Sequence, residues 1–282
     1  MSTEKYLAKR FWKHKAWLSF ELLLVLSTVL SAQQDTLRIT HTFLETVQQL
    51  AVDKLQHVYL SNAQNDLVKY NASGQLVYQF NNNTKGALRT IDATDPFNVL
   101  LFYPDFQQLI LLDRTLNEKA RFSLYDSGIG EASAVALSND NRIWVFDRVS
   151  FQLMKIDYDG QVVLNSEDLS FQLGQGLELV QLQAREDLLF ALDKNRGLFL
   201  FDNFGQFHKH LPLSDVISFQ VLENNLLLLQ KTSGLYLFNR LSFQQTALLL
   251  PTAIKLGEIR QAFYQSGYWY VLLEKGQALI LR

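Results

Sequence analysis

The sequence predicts an all-β fold, a six-bladed β-propeller of four-stranded antiparallel blades, for three reasons. An apolar segment recurs six times, at intervals of 42, 44, 45, 37 and 43 residues. The last repeat stops one strand short of a complete blade, and a spare strand precedes the first repeat. The composition of the 282-residue chain, with 20 Phe and 11 Tyr but only 4 Pro, favours strands.

Each repeat contains two strongly apolar segments that predict the second and third strands of a blade. The third-strand segments are the most regular, and five of the six end in Asp or Asn. They begin at Leu67, Leu109, Leu153, Leu198, Leu235 and Ala278. Four antiparallel strands in about 40–45 residues are typical of a propeller blade.

Polar segments between these strands predict tight turns. Ser138–Asn141 separates a first from a second strand, and its Asn and Asp residues tolerate positive φ. After the third strand, three repeats share a Gly-Gln pair that begins at Gly74, Gly160 or Gly205. In these turns the Asx side chain opens the turn and the glycine closes it. The residues after the pair, such as 75–80, form the fourth strand.

The two ends of the repeat array predict a closed ring. Residues 35–43 alternate apolar and polar side chains, and we expect them to supply the missing outer strand of the last blade. Closure protects sheet edges that would otherwise pair with other chains. Two open packed sheets would not explain a fixed period with a strand missing at one end and spare at the other. The propeller is therefore expected over residues 34–282, with no second domain.

The N-terminal residues predict export. Residues 1–15 are basic, Ala16–Leu30 is an apolar run, and Ser31, Ala32 and Gln33 follow it. This arrangement predicts a signal peptide over residues 1–33 and a mature protein in the periplasm or cell envelope. The run is short for a membrane span, so we expect no transmembrane span in the mature chain. An uncleaved signal-anchor is the alternative.

Composition excludes several function classes. The chain has no cysteine, which removes disulfide scaffolds, thiolate metal sites and cysteine nucleophiles. Its formal net charge of -2 provides no general attraction for nucleic acid. An exported protein without cysteine fits a bacterial envelope compartment, where no disulfide is required.

Two repeats resemble the NHL type of propeller repeat. They run from Leu50 to Gly74 and from Val135 to Gly160, and the other repeats match in strand pattern. The resemblance implies a six-bladed propeller over the whole mature chain. NHL-like propellers include protein-binding scaffolds, sugar-lactone hydrolases and quinone-dependent dehydrogenases, so the fold alone leaves the function open. The chain is also similar to exported propellers that serve outer-membrane protein assembly or secretion.

The predicted innermost strands carry few groups for catalysis. Their polar side chains are mainly Asp92, Gln181, Gln220 and Gln261. A hard cation needs several oxygen ligands, so one carboxylate predicts no metal site. We expect the glutamines to bond water or backbone. The sequence thus predicts no catalytic residues, metal or cofactor, although a propeller hydrolase of lactonase type stays an alternative.

Aromatic residues in the predicted loops of one rim indicate a surface for a protein partner. The candidate contact residues are Tyr103, Phe106, Arg148, Phe151 and Phe171. Packing of these rings over the blade edges is the competing interpretation. The expected function is a non-catalytic, protein-binding scaffold of the bacterial cell envelope. Such a protein would serve as an accessory subunit of an outer-membrane assembly or secretion complex and reach that membrane through the complex. A carbohydrate- or peptidoglycan-binding module is a further alternative.

The export prediction can be tested by fractionation. Cells that express the full chain should contain a mature species outside the cytoplasm whose N-terminus lies close to residue 34. N-terminal sequencing and mass spectrometry of the periplasmic fraction measure this directly. Recovery of the full-length chain from the cytosol would contradict it.

Overall fold

The computed structural model describes residues 37–43, 46–81 and 86–282, and these form six four-stranded antiparallel sheets. The predicted six-bladed propeller is thereby confirmed. All the described residues belong to one unit, Leu37–Arg282. The predicted signal peptide, residues 1–33, lies outside the described residues. No helix in the described part of the chain has the length and apolar character to cross a membrane.

Each blade is built from strands that follow one another in the chain, from the channel outward. The innermost strands are β2 (Gln49–Val52), β6 (Thr90–Asp95), β10 (Ala132–Leu137), β14 (Leu179–Arg185), β18 (Val216–Val221) and β22 (Ile259–Gln265). The second strands are β3 (Val58–Ser61), β7 (Asn98–Tyr103), β11 (Ile143–Asp147), β15 (Leu188–Asp193), β19 (Asn225–Gln230) and β23 (Tyr268–Leu273).

The outer half of each blade follows the same order. The third strands are β4 (Leu67–Tyr70), β8 (Gln108–Asp113), β12 (Gln152–Ile156), β16 (Gly197–Asp202), β20 (Gly234–Asn239) and β24 (Ala278–Leu281). The outer strands of blades one to five are β5 (Leu76–Phe80), β9 (Glu118–Ser123), β13 (Val162–Asn165), β17 (Phe207–Leu211) and β21 (Gln245–Ala247). Helical segments are short: α1 (Ser170–Leu173) and the 3₁₀ turns Pro104–Phe106 and Leu256–Glu258.

The N-terminal strand β1 (Ile39–Phe43) closes the ring, as the sequence predicts. It pairs antiparallel with β24, so the sixth blade runs from β22 at the channel to β1 outside. The backbone groups of Arg38 and Arg282 extend the pairing with two hydrogen bonds of 2.8 and 3.0 Å. The strand is shorter than the predicted segment 35–43, and Phe43 is its buried anchor, 7% exposed.

The hydrophobic core lies between the blades, in six clusters that each join two neighbours around the ring. The second strands supply the largest share of it because both of their faces pack against a blade. All six residues of β7 and all five of β11 are buried. In the sequence, these strands are therefore recognised by a continuous apolar run and not by alternation of apolar and polar residues.

The ring has two faces with different loops. Strands β2, β6 and their equivalents run from the face that carries the inter-blade connections and the loops between second and third strands; we call this the connection face. The opposite face, the turn face, carries the tight turns. There, Asp157 and Asp202 accept hydrogen bonds from the backbone N–H groups two and four residues later. Gly160 and Gly205 close these turns at φ of 81° and 77°, as predicted.

Removal of β1 should destabilise the ring. A chain that starts at residue 44 loses the buried ring of Phe43 and exposes the edge of β24. Loss of that ring alone costs about 3–5 kcal/mol, or on the order of 10 °C in Tm for a domain of this size. Thermal unfolding with light scattering, compared with a chain that starts at Leu37, measures this. A monomeric 44–282 chain with an unchanged Tm would contradict the proposed closure.

Candidate functional site

Four of the innermost strands carry a β-bulge at their second residue, at the connection-face end of the channel. The strand pairing skips one residue in blades three to six, and these residues are Ser133, Val180, Ile217 and Arg260. A bulge re-aims a side chain at the rim of a closed sheet. The bulged residues thus form part of the channel mouth.

Glutamine side chains join the innermost strands of blades four, five and six to the next blade. Gln181 donates to the carbonyl of Phe219 (2.7 Å) and accepts from its N–H (3.1 Å). Gln220 bonds Tyr264 in the same way, at 3.1 and 2.7 Å. Gln261 accepts from the N–H of Leu50 at 2.9 Å. The expectation that these glutamines satisfy backbone groups is confirmed.

Asp92 performs the same role between blades two and three. Its carboxylate accepts from the N–H of Leu137 at 2.7 Å and from the N–H and hydroxyl of Thr94 at 2.9 and 2.6 Å. Burial raises the pKa of Asp92, and the hydrogen bonds from Thr94 and Leu137 oppose that shift. The carboxylate is thus engaged by neighbouring protein groups on both of its oxygens.

The channel widens into a cavity of about 330 Å³ at the connection face. Arg89, Arg260 and Gln49 line it on blades two, six and one, and Val180 and Ile217 line it on blades four and five. Arg260 donates from Nη2 to the carbonyls of Val47 and Gln48. Among the described lining residues, Asp92 is the only acid.

The predicted contact residues are distributed between the surface and the core. Phe106 and Phe171 are 49% and 89% exposed, and Arg148 is also exposed beside Glu131. Phe151 is half-buried against the core between blades three and four. Tyr103 is fully buried between blades one and two, so its ring packs in the core instead of facing solvent.

The segment that carries Phe171 is held at both ends. Leu169 is buried and donates its N–H to the carbonyl of Phe151 at 2.9 Å. Arg196 donates to the carbonyl of Leu173, the last residue of α1, at 2.8 Å. The exposed ring of Phe171 therefore projects from a backbone that is fixed on both sides.

Two buried polar residues tie the connection-face loops to one another. Gln107, at a φ of 47°, bonds both backbone groups of Ala132 across the gap between blades two and three. Asp147 accepts from the N–H groups of Glu131 (2.9 Å) and Val149 (3.1 Å). These bonds hold the loop of blade three against the connection that precedes it.

Tyr125 and Val149 are exposed residues of the same loops, 58% and 65% exposed, and sequence reasoning missed them. Val149 contacts Gly130, where an added Cβ would lie 3.0 Å from that of the valine. Leu124, next to Tyr125, donates its N–H to the carbonyl of Gln107 at 2.7 Å. Their signal in the sequence is position alone, directly after a predicted second strand or fourth strand.

His210 and Lys194 also have structural partners. His210 contacts the carbonyl of Arg196 through Nε2 at 2.7 Å and stacks on Phe199, with ring centroids 4.3 Å apart. Lys194 lies 3.8 Å from Glu178. In residues 37–43, 46–81 and 86–282, no three His, Asp or Glu side chains form a group that could hold a metal ion.

Comparisons with known proteins find the fold but no family. No family model matches the chain, and no curated protein matches it. Among solved structures, a streptogramin B lyase is similar over 84% of this chain and 78% of its own, at 12% identity and a TM-score of 0.60. Virginiamycin B lyase from Staphylococcus aureus is similar over 83% of this chain and 80% of its own, at 12% identity and a TM-score of 0.58. The computationally designed Ika8 protein is similar over 83% of this chain and 70% of its own, at 14% identity and a TM-score of 0.51. At these identities the likeness shows a propeller fold alone.

Replacement of Asp147 by Asn should destabilise the protein in a pH-dependent way. Burial tends to raise the pKa of Asp147, but hydrogen bonds from Glu131, Ser150, Val149 and Gly130 outweigh it and lower the pKa below 3.8. An amide opposite the N–H of Gly130 loses one such bond, which costs about 1–3 kcal/mol.

The sign follows from linkage. A lowered folded-state pKa means that the stabilisation is present above pH 3.8 and is lost as the pH falls through that folded-state pKa. The difference in unfolding free energy between wild type and Asp147→Asn, measured in urea, should therefore shrink as the pH falls below 3.8. Asp202→Asn is the matched control, because Asn71 and Asn239 occupy the equivalent turn position naturally. A constant difference across the pH range would contradict the assignment.

Proposed function

We propose that this protein is a non-catalytic scaffold of the bacterial cell envelope that binds another envelope protein through its connection face. The contact surface is the rim patch, which we define as Phe106, Tyr125, Val149 and Phe171. The predicted residue Arg148 lies beside it. The envelope location is part of the proposal and is supported by the basic and apolar segments of residues 1–33.

The observation that carries the proposal is the side chain of Phe171, which is 89% exposed on a fixed backbone. An exposed aromatic ring in a soluble protein loses favourable burial unless something covers it. A fixed backbone also lowers the entropy cost of binding, because the loop is already ordered. Aromatic residues of this kind dominate the energetics of protein interfaces.

The distribution of exposed apolar residues favours the connection face. The loops that carry Phe106, Tyr125 and Val149 are bonded to one another through Gln107 and Asp147, so the three residues occupy adjoining loops. On the turn face the exposed apolar residues are scattered, one or two to a blade. They are Leu55, Phe97, Phe204, Leu241 and Phe243. Scattered exposed residues are normal in soluble proteins.

The channel supports a structural role better than a catalytic one. The carboxylate of Asp92 is engaged on both oxygens, and the glutamines of the innermost strands bond the next blade. General acid–base chemistry requires a titratable side chain within reach of substrate, and Asp92 is the only acid among the described residues that line the cavity. These side chains are better placed to hold the blades together.

Partner capture tests the proposal. Phe106→Ser combined with Phe171→Ser should reduce recovery of the partner, captured from membranes after mild crosslinking, by more than about tenfold, since each buried aromatic anchor contributes about 2 kcal/mol or more. The Tm should change little because Phe171 is exposed. The variant Phe204→Ser, 66% exposed on the turn face, is the matched control. Equal recovery with the double variant, or equal loss with the control, would contradict the rim patch.

A further inference from the structure

The channel mouth carries two arginines on one side that form no ion pair with any other described residue. Arg89 is exposed, and neither its guanidinium nor that of Arg260 forms an ion pair within the described residues. The acid of the lining, Asp92, lies about 10 Å farther along its strand than Arg89 and is engaged elsewhere. Two arginines thus line the mouth without an acidic partner among the described residues.

Arg260 is held in place but has donor capacity left. Its Nη2 is fixed by the carbonyls of Val47 and Gln48, at 2.9 and 2.7 Å. Nη2 is the only atom of this guanidinium with a hydrogen bond among the described residues, so its other N–H groups keep donor capacity. The buried Nε lacks a partner there, as do those of Arg185 and Arg240. An arginine that is already oriented binds a carboxylate with less loss of side-chain entropy.

The side of the mouth opposite the arginines is apolar. Val180 and Ile217 line the cavity from blades four and five, and Ile217 is 40% exposed. In a ring of six, blade four faces blade one, which carries Gln49 between the two arginines. A ligand at this mouth therefore meets charge and amide on one side and aliphatic carbon on the other.

The cavity continues into the channel. Val52, Thr94, Gln183 and Gln220 line both this cavity and a second one of about 460 Å³ toward the turn face. The second cavity carries charges of both signs, from Lys54, Asp95 and Arg185. An elongated passage whose entrance carries positive charge suits an extended polypeptide that enters from the connection face with a negatively charged group.

We propose that the channel mouth binds a carboxylate of an extended polypeptide segment of the partner protein. Arg89 and Arg260 donate hydrogen bonds to this carboxylate, and an apolar side chain of the segment packs against Val180 and Ile217. The inference rests on the proposed function, because it assigns the segment to the partner of the rim patch on the same face. A free C-terminus and an acidic side chain both present this group, and the test distinguishes them.

Isothermal titration of the 37–282 chain tests the site with three acetylated pentapeptides. The first ends in Val-Leu with a free carboxylate, the second is its C-terminal amide, and the third is the amide with an internal glutamate. Binding of the first but not the second assigns the C-terminus, and binding of the third assigns an acidic side chain. Arg89→Gln should weaken binding of the charged peptide by about tenfold or more, as expected for a charge-assisted hydrogen bond.

Two control variants separate this site from its surroundings. Arg148→Gln removes a cation of the same face that pairs with Glu131, and it should leave peptide affinity unchanged. Phe106→Ser with Phe171→Ser should also leave it unchanged while partner capture is lost. Arg89 is exposed, so the Arg89→Gln variant should fold. Arg260→Lys is a second variant of the channel mouth, and it keeps the positive charge while removing the guanidinium group.

The proposal is overturned if no charged peptide binds at millimolar concentration, if the uncharged amide binds as tightly, or if Arg89→Gln and Arg260→Lys both leave the affinity unchanged. Tighter binding of inorganic phosphate than of either charged peptide would also overturn it. These outcomes leave the rim patch untouched, because partner capture with the phenylalanine variants tests that surface separately.

Discussion

The structure depends on how the innermost strand of each blade satisfies its second edge. That strand pairs with only one neighbour, so the backbone groups on its channel side need other partners. Gln181, Gln220 and Gln261 supply them from the preceding blade, and Asp92 does so between blades two and three. A carboxamide suits this position because it donates and accepts at once and can bond both groups of one residue. These bonds set the positions of blades three, five, six and one relative to the blade before each of them.

The same constraint shapes the channel mouth. A regular strand would place its second residue within the ladder, but the bulges in blades three to six release it. Each released position carries a different residue type, and at Arg260 the side chain returns to bond the carbonyls of Val47 and Gln48 across the closure between blades six and one. Arg260 thus stabilises the junction that completes the ring and also contributes charge to the mouth.

The repeat period, the ring closure and the Asx turns were predictable because each has a local signal: an apolar run, a spare strand or an Asx-to-Gly spacing. The bulges leave no local trace, and the glutamine bonds join residues that are 38, 44 and 211 positions apart. The second-strand loop of blade two shows the limit most clearly. Tyr103 and Phe106 have similar composition around them, yet Tyr103 is the last residue of a buried strand, whereas Phe106 is the last residue of a 3₁₀ turn and is half exposed. Strand ends decide that difference, and they are the least certain feature of a sequence pattern.

The two faces of the ring differ because their loops are stabilised by different hydrogen bonds. On the turn face, residues such as Asp157 and Asp202 bond the N–H groups two and four residues later, and this fixes the length of each turn. The connection face carries all three described helical segments. Its loops vary in length and are tied to one another by Gln107, Asp147 and Arg196 instead. We therefore expect a partner-binding surface on this face, because its loops can vary while the blades stay constant. The exposed ring of Phe171 and the arginines of the channel mouth both lie there.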